Sequence, residues 1–207
     1  MGMYVSSKNL GFISIPKTGG TSVTCWLRNK AKGYFVGGKH GHIDTLLSKH
    51  PDVDYFTVCR NPYARVVSWY NFRVEWHTTS GMTKQIPHAD PSMTNDKALD
   101  HFSGTFDDWL KRINFENPIN LNWDFSLVEK QVDFINGKDP KWILKMENIK
   151  EDFKVIQDYL NIHDPLYHMK KSKKVNWKDY YKSDFAQEFV YNNWKEDFEY
   201  FGYEKEI

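Results

Sequence analysis

Cysteine is nearly missing: the 207 residues hold two, Cys25 and Cys59. Two thiols lying in apolar or helical stretches fill a core more readily than they staple a fold, which excludes a disulfide-built scaffold. An excess of one charge is missing too. Twenty-eight Lys and Arg stand against 27 Asp and Glu, a net of +1. No global field draws the chain to nucleic acid or to a membrane surface, so any anion site must be local. Nowhere do 18 apolar residues run together, and "MGMYVSSKNLGF" has no apolar leader region. The expected setting is therefore soluble and cytoplasmic, with no stable membrane anchor. Disorder is excluded by the 40% of hydrophobic and 16% of aromatic residues, enough for a substantial core. This length predicts one domain over 1–207.

What is present is an alternation of strand and helix patterns. "LGFISIP" reads as a buried strand over Gly11–Ile15, ended by Pro16. "TSVTCWLRNKA" reads as a helix, with Val23, Trp26 and Leu27 on one face and Thr21 or Ser22 placed to cap it. "HIDTLLSKH" is a short helix, and "DYFTVCR" a second buried strand. "PYARVVSWYNFRVEW" is a helix with Pro62 in its first turn, where a missing N–H costs nothing. "TFDDWLKRI" and "DFSLVEKQVDFIN" read as further helices, the second stopped by Gly137. A strand over Trp142–Met146, the amphipathic helix "KEDFKVIQDYLNI" and a helical, aromatic-rich end complete the chain. Such alternation predicts an α/β fold, a central and mainly parallel sheet flanked by helices. From His77 to Gly104 the periodicity fades into an irregular excursion, of the length that usually carries function.

The chemistry begins at "IPKTGGTS". Gly19 and Gly20 let the backbone bend and approach a ligand, and the N–H groups of a following helix favour an anion. Lys17 adds a full charge; Thr18, Thr21 and Ser22 add hydroxyls. The lysine precedes the glycines, so the Walker pattern of ordinary ATPases and GTPases is absent. A plain strand–turn–helix with polar caps has the same look. In "CRNPYARVVSWY", Arg60 ends a strand and Ser68 lies about two turns into the next helix, a pair able to hold a second phosphate. A structural ion pair at Arg60 and a packed Ser68 is the competing account.

Taken together the two segments resemble the sulfotransferases that use 3′-phosphoadenosine 5′-phosphosulfate (PAPS). "IPKTGGTS" is similar to their 5′-phosphosulfate loop. Arg60, Asn61, Pro62, Arg65, Ser68 and Tyr70 match their 3′-phosphate motif, with Asn61 where Asp is commoner. "KMENIKEDF" is similar to their late strand–helix segment, and "KKSKK", with Lys171, Ser172 and Lys173, falls where a loop closes over the nucleotide. The likeness is greatest to the heparan and chondroitin 2-O-type carbohydrate sulfotransferases, which carry a His-Gly-His between the two phosphate motifs. Here that is His40-Gly41-His42.

The resemblance implies a single P-loop-like sulfotransferase domain with PAPS as donor and 3′,5′-adenosine bisphosphate (PAP) as product. It implies Lys17 to Ser22 on the phosphosulfate, Arg60 and Ser68 on the 3′-phosphate, His42 as base and His40 beside it. No metal is implied, since Lys17, Arg60 and the helix dipole supply positive charge. A zinc-binding His-x-His, or two ordinary loop histidines, are the other readings of that tripeptide. The acceptor implied is a hydroxyl on an oligosaccharide or polysaccharide, not a nucleic acid. Trp76, Trp123 and Trp177 are candidates to stack on sugar faces, with core packing the competing account for tryptophan. His77, Lys84, His88 and His101 are candidates to contact an anionic sugar near the acceptor site, with a solvated loop the competing account for the excursion. Golgi relatives carry an anchor and disulfides, and lacking both fits a bacterial or viral cytoplasmic source. The rivals are an ATP-dependent kinase of P-loop type, which would want a Walker lysine, and a nucleotide-binding protein that has lost the chemistry.

Overall fold

A computed structural model of the chain describes residues 2–37, 42–79, 104–113, 129–167 and 175–207, with backbone alone for 73–79. In chain order the elements are β1 (Gly2–Val5), β2 (Leu10–Ile13), α1 (Gly20–Lys30), β3 (Tyr34–Val36), α2 (Ile43–Leu47) and β4 (Asp54–Cys59). There follow α3 (Pro62–Thr79), α4 (Phe106–Lys111), β5 (Trp142–Lys145), α5 (Ile149–Asp152), α6 (Lys154–Leu160), α7 (Asp184–Asn193) and α8 (Lys195–Phe201). Among the described residues no helix is long and apolar enough to cross a membrane.

The chain divides into two compact units. The first comprises Met1–Asn61, Lys130–Val175 and Tyr200–Gly202. It holds a five-stranded sheet of order β3-β1-β2-β4-β5. β2, β4 and β5 run parallel, in the register Phe12↔Phe56 and Phe56↔Trp142, and β1 is antiparallel to both of its neighbours. The mainly parallel α/β fold read from the sequence is what the chain adopts. β2 and β4 are apolar runs buried on both faces, while β5, at the sheet edge, buries Leu144 and exposes Ile143. Phe12 stacks on Phe56 at 4.8 Å, and Trp26 of α1 meets Phe153 edge-on at 4.9 Å. The core includes Val23 and Leu27 of α1, Val58, Leu144 and Ile156. The helical face expected from Val23, Trp26 and Leu27 is therefore the buried one.

Three expectations need correction. β1 and β3 carried no signal, since one is short and the other exposes Tyr34 and Phe35. The cap of α1 is Gly19, in the left-handed region, with no side chain capping it, so neither Thr21 nor Ser22 serves. The helix expected over Asp124–Asn136 is, in its described part, only a 3-10 turn at Val132–Phe134. The Gln131 amide turns onto Arg60 and the Asp133 carbonyl onto His42, tertiary bonds that outweigh the local helical pattern.

The second unit comprises Pro62–Glu129, Asn176–Glu199 and Tyr203–Ile207. Its core is aromatic: Tyr63, Trp69, Phe106, Trp109, Tyr181, Trp194 and Phe198 are all buried. α4 is started by a capping box, with Thr105 and Asp108 exchanging hydrogen bonds, and α7 by Ser183 accepting from Ala186 N–H. Arg65 is also buried. Its Nη1 lies 3.9 Å from the Asp197 carboxylate and donates to the Glu129 carbonyl at 3.0 Å. A buried guanidinium without such partners would cost several kcal/mol, on the order of 3–5. This arginine of the "RNPYAR" stretch is thus a structural one.

Candidate active site

The site is built in the first unit, on the turn between β2 and α1. β2 ends at Ile13, two residues short of the expected Ile15, and beyond Pro16 Lys17 and Gly19 take left-handed φ values of +67° and +82°. Left-handed residues interleaved with ordinary ones turn successive N–H groups to one side, a concavity suited to an anion. A lysine pays for such a backbone where glycine does not, about 1–2 kcal/mol. Strain of that kind is tolerated where the side chain is needed. Thr18 is fully buried and its hydroxyl donates to the Ile15 carbonyl at 2.9 Å. Its single hydroxyl proton is spent closing the turn, so what Thr18 offers an anion is its backbone N–H. Ser22 N–H bonds the Gly19 carbonyl at 3.1 Å, and Thr21 is exposed.

Both glycines are needed, for different reasons. A Cβ on Gly20 would sit 2.1 Å from Ser14 Oγ. One on Gly19 would meet Met146 Sδ at 2.5 Å, a side chain that can move, but φ +82° remains unfavourable for any other residue. Gly19→Ala is expected to cost about 1 kcal/mol or more, lowering the melting temperature by about 2–4 °C. Thermal unfolding checks this, and an unchanged midpoint would show that the turn relaxes to another conformation.

Arg60 follows the last residue of β4, which places it beside the turn: its Nη1 donates to the Lys17 carbonyl at 3.2 Å. The peptide around it is held from two sides. Gln131 is fully buried; its Oε1 accepts from Arg60 N–H at 2.9 Å and its Nε2 donates to the Arg60 carbonyl at 2.9 Å. Glu147 accepts from Asn61 N–H at 2.9 Å. Asp152 accepts from Lys145 N–H at 2.7 Å, so Glu147 and Asp152, two of the three acids of the "MENIKED" stretch, each pin a backbone turn at the sheet's carboxyl ends.

His42 precedes α2 and is half-buried. Its ring stacks on Phe134 at 4.9 Å, and Nδ1 lies 3.0 Å from the Asp133 carbonyl. A carbonyl only accepts, so this bond puts the proton of the neutral ring on Nδ1. Nε2 then carries the lone pair, which is the tautomer a base needs. Asn136 donates to Asp44 of α2 at 2.7 Å, anchoring the same turn to the same helix a second time.

A recess adjoins the turn, with Gly19 on one side, Met146, Ile149 and Lys150 on another, and Leu166 and the exposed Tyr167 closing it. Its walls are largely apolar, as suits a flat ring beside a phosphate-holding loop.

Of the residues expected at the site, Lys17 to Ser22, Arg60 and His42 all lie in this unit and are linked by the bonds given. Ser68 lies two turns into α3 and belongs to the second unit. His40, Lys171, Ser172 and Lys173 lie outside the described residues, as do Trp123, Lys84, His88 and His101. Trp177 packs parallel to Tyr63 at 6.1 Å. Gln131 had no signal in the sequence, being one polar residue in an apparently amphipathic stretch. Glu147 had one, its place in a recognisable pattern, but no stated role.

No individual curated protein matches the chain, and no solved structure does. The model of the sulfotransferase family matches residues 3–204, nearly the whole length and every element of the site. A match over that length places the chain in the sulfotransferase family.

Proposed function

We propose that this sulfotransferase takes its sulfuryl group from PAPS and gives it to a hydroxyl of an oligosaccharide or polysaccharide, with His42 as base. The observation that carries this reading is the tie between the two anion-holding elements, Arg60 Nη1 on the Lys17 carbonyl. It sets one guanidinium next to a turn that presents helix N–H groups and a lysine. A nucleotide with phosphates on both 5′ and 3′ positions needs two such elements. The carbohydrate acceptor rests on the likeness of His40-Gly41-His42 to the 2-O-type enzymes.

In this mechanism Lys17 to Ser22 hold the phosphosulfate and Arg60 the 3′-phosphate, with Ser68 as the motif's second contact there. Lys171, Ser172 and Lys173 close over the nucleotide by their place in the sequence. The acceptor oxygen bonds to sulfur as the bond from sulfur to the bridging oxygen breaks, and PAP leaves. The acceptor proton passes to Nε2 of His42, whose Nδ1–H stays on the Asp133 carbonyl. Charge grows on the bridging oxygen, and the Lys17 ammonium offsets it. Positioning and electrostatics carry such in-line transfers.

The test is calorimetric. PAP is expected to bind more tightly than ATP or 5′-AMP, by about 10-fold or more for one charge-assisted phosphate contact. Equal binding of the three would overturn the donor assignment. Transfer from labelled PAPS to a panel of oligosaccharides then tests the acceptor.

A further inference from the structure

The turn that follows Lys130 touches both functional elements and has no chemistry of its own. Gln131 is fully buried, and its amide reaches across to a distant residue. Both ends pair with one residue, through Arg60 N–H to Oε1 and Nε2 to the Arg60 carbonyl, each at 2.9 Å. In an extended chain a residue's N–H and C=O point to the same side, so a primary amide fits them as a neighbouring strand would. Gln131 therefore extends the sheet by one rung beyond the last residue of β4, where the arginine leaves it. Two residues on, the Asp133 carbonyl holds His42 Nδ1 at 3.0 Å, and Phe134 stacks on the ring. The segment is fastened elsewhere too: Tyr55 donates to the Lys138 carbonyl at 2.7 Å, and Lys141 N–H to the Tyr55 carbonyl at 2.8 Å.

We propose that Gln131 is a positioning residue, which sets the backbone of Arg60 and, through the turn it anchors, the ring of His42. The inference rests on the reading of Arg60 as the holder of a 3′-phosphate. Burying an amide for packing alone would be costly, since each unpaired polar end loses its water. Here both ends are spent on the residue whose guanidinium reaches the Lys17 carbonyl. A shift of the Arg60 backbone is multiplied along its long side chain, so the loss is felt at the phosphate and not at the adenine.

The experiment compares dissociation constants for PAP and 5′-AMP, which differ by the 3′-phosphate, in the wild type, Gln131→Leu and Gln131→Glu. In Gln131→Leu the preference for PAP is expected to fall by about 10-fold while 5′-AMP binds as before. A residue needed only for folding would lower the melting temperature and weaken both nucleotides in proportion, and an intact preference overturns the proposal. Gln131→Glu keeps the acceptor for Arg60 N–H but sets a carboxylate oxygen against the Arg60 carbonyl, so its preference falls as well. It decides the matter should the leucine variant not fold, and an unchanged preference there is equally fatal. If the wild type itself shows no preference, the phosphate reading of Arg60 fails and this inference goes with it. If the wild type prefers PAP and both variants keep that preference, Gln131 alone has been misjudged.

Discussion

His42→Ala is expected to lower turnover by about 10²-fold or more, with PAP still bound at nearly wild-type affinity. The separation follows from where the ring is held. It contacts the Asp133 carbonyl and the Phe134 ring, neither of which is among the groups assigned to the nucleotide. Removing the imidazole takes away the proton acceptor and leaves the turn at Lys17 to Ser22 and the Arg60 side chain in place. Turnover near the wild-type rate would remove His42 as base. A parallel loss of PAP affinity would make it a binding group instead. Steady-state rates at saturating donor, read beside calorimetry, tell these outcomes apart.

Lys17→Gly is the second large effect, and it should move activity and stability in different directions. Glycine accepts φ +67° at no steric cost, so the melting temperature is expected to hold or to rise. Turnover is expected to fall by about 10²-fold, the scale on which removing one preorganised charge from a developing anion acts. The comparison is unusual in that the variant relieves the fold of a strained residue while stripping the site of its cation. A protein that melts lower but transfers sulfate at the wild-type rate would show that Lys17 serves the turn and not the reaction.

The parts of the fold that the sequence made legible are those whose residues are committed by burial on both sides. β2 and β4 are apolar runs buried on both faces, and α1 shows its buried face in Val23, Trp26 and Leu27. β3 could not be read, since Tyr34 and Phe35 are exposed and three residues become a strand only when β1 lies beside them. The same division runs through the site. Lys17, Gly19, Gly20, Arg60 and His42 are marked by residue type and order. Gln131 is not, because its value lies in two bonds to a residue 71 positions away. The expected helix over Asp124–Asn136 failed in its described part for a related reason. The Asp133 carbonyl bonds outward to His42 and the Gln131 amide to Arg60, so tertiary demand outweighs local periodicity.

The parallel pairing of β4 with β5 has a consequence for how the chain comes off the ribosome. Residues 60–141 separate the two strands in the sequence, and most of the second unit is synthesised between them. At about 5–20 residues per second, β4 waits on the order of ten seconds with one hydrogen-bonding edge unmatched. That edge carries Phe56, Val58 and Cys59, all fully buried once Trp142–Lys145 arrives. The interval is one in which a passing strand from another nascent chain finds a ready template, so the sheet that carries the candidate site is also exposed to misassembly during synthesis.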